Sequence, residues 1–294
     1  MGSDQDIGNL AFVGFGEAAT AFLDGWGDLR PRQVTAVDIK AGDPATAPEM
    51  TARFDRCEVD GHAEPGSALG GVEVVFSVVT ADQALAAAEA AAPVLSPGTL
   101  WLDCNSCAPE TKRAAADVIE GAGGRYVDVA VMSPVHPKRH HVPLLLAGPR
   151  AAEAEAVLAR LDMRPRIAGE NVGEASAIKM IRSVMIKGME ALSAECFLAA
   201  RRAGVDAAVL ASLEASDPEL TWPSRGAYNL ERMMVHGVRR AAEMREVEKT
   251  VAALGLGGGM SAATADWQAR IGTLGAEAGE DDLLDRVDRI LAKL

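Results

Sequence analysis

Three groups of residues in this 294-residue chain have types and spacings that chemistry uses. The first is Gly14-Phe15-Gly16-Glu17-Ala18-Ala19, two glycines and a small third residue in the pattern Gly-x-Gly-x-x-Ala. Gly14 would allow a tight turn, Gly16 would let the backbone approach a diphosphate, and Ala19 would let a helix pack closely on a strand. The second is Lys179, Ser183 and Lys187, flanked by Arg182. Residues four apart share one stripe of a helix, so cations and a hydroxyl would line up there. Spaced lysines more often mark a solvated face, but few charges interrupt residues 175–194, which favours a functional stripe. The third combines the spacing Cys104-x-x-Cys107 with His136, His140 and His141. Such residues can ligate a metal, yet one cysteine pair is a weak zinc pattern. The histidines fit a polar loop at a sheet edge or a share in substrate binding, and no metal is expected.

These groups need elements to position them. Residues 10–14 form a short apolar run that enters the glycine turn, and residues 18–26 follow at helical spacing. Further strands are expected at 34–39, 57–59, 72–79, 100–103, 126–131, 144–147 and 166–168. Residues 72–79 are β-branched almost throughout, as suits a strand buried on both faces. Thr80-x-x-Gln83 has the form of a capping box opening an alanine-rich helix to residue 92. Pro109 suits the first turn of a helix to residue 120, and residues 151–161 form another. From residue 169 onward no strand is expected. Residues 174–203 read as one long helix carrying Ile178, Ile181, Met185, Leu192, Cys196 and Ala199 on one stripe. More helices follow at 206–216, 228–254, 260–274 and 281–294. Gly255 to Gly259 follows no strand and reads as a turn. Strands alternating with helices imply an α/β domain with a parallel, doubly wound sheet over residues 1–168, then an all-α domain over 169–294.

Composition narrows the partners. The formal net charge is −13, which repels phosphate backbones and argues against nucleic acid. Nearly half the residues, 49%, are hydrophobic, so a packed core is expected. No apolar run reaches the roughly 18–20 residues that cross a bilayer. Residues 1–9 are polar and acidic and do not look like a secretory signal, which makes the cytoplasm the expected location. An acidic protein that holds an anionic cofactor needs local donors, and a helix N-terminus supplies them. Asp38 ends the second expected strand. A carboxylate there can accept from an adenosine ribose 2′-hydroxyl and repels a 2′-phosphate, so NAD is favoured over NADP, although Lys40 could help a phosphate.

Four motifs together resemble the β-hydroxyacid dehydrogenases, relatives of 6-phosphogluconate and 3-hydroxyisobutyrate dehydrogenases. They are the Gly14 turn; Asp103-Cys104-Asn105-Ser106-Cys107-Ala108-Pro109; Asp128-Val129-Ala130-Val131-Met132-Ser133-Pro134; and the stretch from Gly173 through Lys179 to Ser183. The sequence from Lys179 to Leu192 is most similar to a less-characterised branch. The resemblance implies a Rossmann-type domain followed by an all-α domain that binds substrate and dimerises. It also implies Lys179 as the general acid/base, with Asn105, Ser106, Met132, Ser133 and Ser183 around the substrate; the four-residue stripe adds Lys187 to that set. Gly14, Phe15, Gly16, Glu17, Ala18, Asp38 and Thr80 would hold NAD or NADP. Oxidising a secondary alcohol needs a proton acceptor at the hydroxyl, and a partly desolvated lysine can fill that role.

Two departures bear on the substrate. Ser183 stands where the family has asparagine. Met132-Ser133-Pro134 replaces Ser-Gly-Gly, and Pro134 has no N–H to offer a carboxylate. A substrate other than the short hydroxyacids of the better-known members is therefore expected. Arg239 and Arg240 fall near the family's lysine–aspartate pair, and a solvated or subunit-contact role is equally open. The expected activity is hydride transfer to or from a small hydroxyacid or its oxo form, in a homodimer or higher oligomer. An imine-reducing enzyme and a non-catalytic cofactor sensor remain as alternatives.

Overall fold

The computed structural model describes residues 7–294. Most of the acidic N-terminal stretch assessed above as a signal lies outside the described residues. Two compact units emerge, the first ending at Lys179 and the second beginning at Met180.

The first unit is built on eight strands: β1 (Asn9–Val13), β2 (Gln33–Val37), β3 (Asp60–His62), β4 (Val74–Ser77), β5 (Leu100–Asp103), β6 (Arg125–Val131), β7 (Pro143–Ala147) and β8 (Arg164–Gly169). Their order across the sheet is β3-β2-β1-β4-β5-β6-β7-β8. Chain direction across the sheet reverses between β1 and β4, and ligands of open α/β sheets bind at such a switch point. Helices α1 (Glu17–Trp26), α2 (Ala47–Arg56), α3 (Pro65–Leu69), α4 (Ala84–Ala91), α5 (Pro109–Gly121) and α6 (Ala151–Arg160) connect the strands.

The sheet departs from the expected parallel arrangement at one place: β7 runs antiparallel to β6, and β8 runs parallel to β7. A parallel return needs a crossover, usually a helix. Residues 132–142 hold only one 3-10 turn, Arg139–His141, so the chain doubles back. The third strand lies at Asp60–His62, beyond the expected 57–59, because α2 occupies the preceding residues and ends at Cys57.

Both sheet faces are covered. On one, Phe12, Phe15, Phe22, Trp26 and Phe76 pack ring on ring, with Phe12 and Trp26 stacked at 5.8 Å. On the other, Val13, Val75, Trp101, Tyr126 and Ile119 form a second cluster. Aromatic burial of this kind supplies much of the driving force for such a layer.

The second unit is helical: the greater part of α7 (Glu174–Arg202), then α8 (Asp206–Ser216), α9 (Trp222–Ala253), α10 (Gly259–Gly272) and α11 (Leu283–Leu291). Phe197, Leu230, Met233, Ile271, Val287 and Ile290 form its core. Helices α9 and α10 cross at two glycines; a Cβ on Gly237 would lie 2.4 Å from the Gln268 carbonyl oxygen. Among the described residues, no helix is long and apolar enough to cross a membrane.

Along its middle, α7 departs from the usual pattern, although Met180 and Phe197 on either side are buried as expected. Ile181, Met185 and Leu192 from its apolar stripe are 50%, 66% and 56% exposed. The opposite stripe of Ser183, Lys187 and Glu190 is buried. Amphipathic surface helices ordinarily do the reverse.

Candidate functional site

Gly14 begins its turn at φ +85°. A Cβ there would lie 2.9 Å from the Val78 carbonyl oxygen and 2.9 Å from Val79 Cγ1, so only glycine fits where the turn meets the exit of β4. The Gly14 N–H donates to the Val37 carbonyl at 2.8 Å, tying the turn to β2. Gly16 caps α1 in extended conformation, without a side chain to occupy the first-turn amides. A Cβ at Gly16 would meet nothing within 4 Å, so space lies open in front of the helix N-terminus. Open space, uncapped amides and the positive end of a helix fit the diphosphate of a dinucleotide. Glu17 is exposed and Ala18 half-buried beside this opening.

Asp38 is more than a terminal acid. Its Oδ2 accepts the Phe15 N–H at 2.9 Å and its Oδ1 accepts the Lys40 N–H at 3.0 Å. The carboxylate thus braces the glycine turn from β2, while retaining lone pairs for a sugar hydroxyl. Phe15 itself is fully buried, and its carbonyl accepts from Arg53 at 3.1 Å. Thr80 is exposed at the exit of β4. The expected capping box is absent: Thr80 makes no side-chain cap, and Gln83 donates to its neighbour Asp82 at 3.0 Å. A 3-10 turn, Ala81–Gln83, takes the place of the first helical turn, which moves the start of α4 to Ala84.

The loop after β5 gathers the expected substrate residues. Asn105 donates from Nδ2 to Ser77 Oγ at 2.9 Å, joining the loop to the end of β4 at the switch point. Its Oδ1 is buried with no partner, an acceptor that a ligand's donor would satisfy. Lys179 Nζ donates to Ser106 Oγ at 2.5 Å, so the structure brings Lys179 and Ser106 together. Cys104 and Cys107 are buried. Burial pushes the Cys104 thiol up to about 12 despite the nearby Lys112 ammonium. A thiol held protonated is a poor metal ligand and a poor nucleophile.

Beneath this loop lies a charged cluster that the sequence reading missed. The Lys112 ammonium is fully buried and donates to the Asp103 carbonyl at 2.6 Å and to Asp103 Oδ1 at 2.9 Å. Asp128 Oδ1 lies 3.4 Å away, and the Tyr126 hydroxyl donates to Asp103 Oδ2 at 2.6 Å. Two carboxylates around one ammonium hold its proton more tightly than usual, although burial opposes this. Asp128 Oδ2 accepts the N–H groups of Gly173 and Ser176, at 3.1 and 3.0 Å. It therefore caps α7 from a distant strand, one turn before Lys179. One signal for Lys112 was present: it shares an i, i+3, i+4, i+7 stripe with Ala115, Ala116 and Ile119.

Other expected residues are placed differently. The Met132 N–H donates to the Pro143 carbonyl at 2.9 Å, continuing the β6–β7 ladder. Pro134 has no N–H, and the Ser133 hydroxyl donates to the Pro134 carbonyl at 3.2 Å. Ser183 and Lys187 belong to the second unit, where both are buried. Lys187 Nζ donates to Glu243 at 2.5 Å, and burial lowers its proton affinity. Beside it, Arg240 pairs with Glu190, which also accepts from Gln268 at 2.7 Å. Arg240 is thus a buried structural cation, while Arg239 is 3.9 Å from Glu243.

A model for a domain of unknown function, DUF1932, matches residues 200–271. The crystal structure of a conserved hypothetical protein from Sinorhizobium meliloti 1021 is 37% identical and superimposes with a TM-score of 0.73 over 98% of this chain and 97% of that one. A conserved protein of unknown function, described as structurally similar to 3-hydroxyacid dehydrogenases, is 28% identical over 97% of this chain and 98% of its own, with a TM-score of 0.65. The Mycobacterium tuberculosis 3-hydroxyisobutyrate dehydrogenase shares the fold at 17% identity, with a TM-score of 0.71 over 97% and 99% of the two chains. At 37% identity over nearly the whole chain, the protein belongs to the same family as the Sinorhizobium protein, and it has the fold of the 3-hydroxyacid dehydrogenases.

Proposed function

We propose that this chain is an NAD(P)-dependent oxidoreductase acting on a small hydroxyacid or the matching oxo compound, with Lys179 as general acid/base. The observation that carries the reading is the Lys179–Ser106 contact of 2.5 Å, which gathers the acid/base candidate and the loop after β5. The bound nicotinamide would supply the hydride or accept it. Lys179 would take the proton from the substrate hydroxyl during oxidation and return it to the carbonyl oxygen during reduction. Ser106 would orient that ammonium, and Asn105 would offer its unpartnered Oδ1 to a substrate hydroxyl. Gly14, Gly16 and the first turn of α1 would hold the diphosphate. Asp38 would accept from the ribose and favour NAD. The exposed stripe of α7 suits a homodimer.

The experiment is a panel of hydroxyacids, oxoacids, aldehydes and imines, read by nicotinamide absorbance, on the wild type and K179A. Turnover on a hydroxyacid should fall by about two orders of magnitude or more in K179A while cofactor binding persists. Unchanged turnover overturns the role of Lys179. Activity confined to imines would favour the imine-reducing alternative, and no turnover on any class would favour a sensor. Titration of the same protein with NADH and NADPH should show tighter NADH binding; a clear NADPH preference overturns the role given to Asp38.

A further inference from the structure

Away from the glycine turn, the first unit carries a cluster that the proposed hydride chemistry does not use. His140 and His141 sit in the 3-10 turn of the β6–β7 connection, and Asp162 sits in the turn between α6 and β8. His141 Nε2 is 2.8 Å from Asp162 Oδ2, and His140 Nε2 is 3.9 Å from the same oxygen. One ligand atom from each residue lies within 4.8 Å of the others. We propose that His140, His141 and Asp162 form a site for one divalent cation of the zinc, cobalt and nickel class.

Three features support a built site. Consecutive residues of a helical turn ordinarily point apart, yet these two rings lie 3.8 Å centroid to centroid and share one carboxylate. Both sides of the cluster hold unusual backbone: Arg139 and Asp162 each have φ +52°, a region non-glycine residues seldom adopt. His140 is buried, with Nε2 on the Asp162 side and Nδ1 packed against Gly25. The ring fits because residue 25 is glycine; a Cβ there would lie 2.0 Å from His140 Nδ1.

The donors select the cation. Two imidazole nitrogens with one carboxylate oxygen suit zinc, cobalt or nickel, whereas magnesium and calcium take oxygen sets. Three protein donors leave a position for water. Arg164 donates to Asp162 Oδ1 at 2.8 Å, which directs Oδ2 toward the imidazoles and, by its charge, tempers the affinity. A bound ion would tie the β6–β7 connection, which carries Ser133, to the turn before β8. The site's existence is independent of the hydride reading.

The test uses the untagged full-length chain. Titration with Co2+ should give a saturable visible absorption at one ion per chain, reversed by Zn2+. His141 and Asp162 are partly exposed, so H141A and D162N should fold; circular dichroism without metal checks this. Each should weaken Co2+ binding by about tenfold or more and abolish the rise in melting temperature that Zn2+ gives the wild type. H136A, altered in the same connection but outside the cluster, should bind as the wild type does. No saturable absorption, or equal affinity in the wild type and both folded variants, overturns the site.

Discussion

Each unit buries one lysine, and the two respond in opposite ways. Lys112 holds its proton more tightly than a free lysine, and Lys187 holds its proton less tightly. Both lose hydration, so burial alone does not separate them. Lys112 has the Asp103 carboxylate and carbonyl in contact and Asp128 at 3.4 Å. Lys187 has one carboxylate in contact, Glu243; Glu190 also acts on it but is paired with Arg240, whose cation opposes the Lys187 charge. Burial lowers both; the acidic groups around Lys112 outweigh it, and those around Lys187, opposed by Arg240, do not. The purposes differ too. The Lys112 cluster holds backbone, fixing the loop after β5 and the start of α7, whereas the Lys187 pair joins side chains of α7 and α9.

The largest effect should come from emptying the better-satisfied site. K112M leaves Asp103 and Asp128 buried beside each other without a cation, and should cost about 3–5 kcal/mol in urea unfolding. A loss below about 1 kcal/mol would mean that the carboxylates find other compensation, and the contrast would fail.

D128N tests the cluster's second task. The amide keeps the shape but weakens the cap on Gly173 and Ser176, at a cost of about 1–2 kcal/mol. Because Lys179 lies one turn along that helix, kcat should fall more than stability would suggest. Full turnover at normal stability would dismiss a positioning role for Asp128.

K187M should change stability least, by less than about 1 kcal/mol at neutral pH, because a methionine of similar length avoids the burial of charge. Its signature is in pH. Just below 10.5, the ordinary lysine value, the unfolded chain holds the Lys187 proton more firmly than the folded one, so stability gains from this group as pH rises. K187M should lack that gain. The Lys112 contribution stays complete below 10.5 and fades only as pH climbs toward its raised folded value. An identical alkaline profile in wild type and K187M would remove the distinction between the two lysines.

Local signals carried much of this architecture. The Gly14 turn, β5 at residues 100–103 and α8 at 206–216 stand where the sequence put them, because a tight turn, a continuous apolar run and a helical period are each written within a few residues. Helix α2 escaped because only Met50 and Phe54 face inward among its ten residues. The reversal at β7 depends on a connection too short in helix to cross over. The cap on α7 pairs Asp128 with residues 173 and 176, a link no local pattern records. Likewise Asp38 could be proposed for a ribose, but its bond to the Phe15 N–H required the folded turn.

The exposed stripe of α7 carries a consequence for how the protein behaves in solution. Ile181, Met185 and Leu192 stay in water only as long as nothing covers them, and any cover is gained by mass action. A second copy on that stripe would make melting temperature climb with protein concentration, so dilution itself would act as a denaturant.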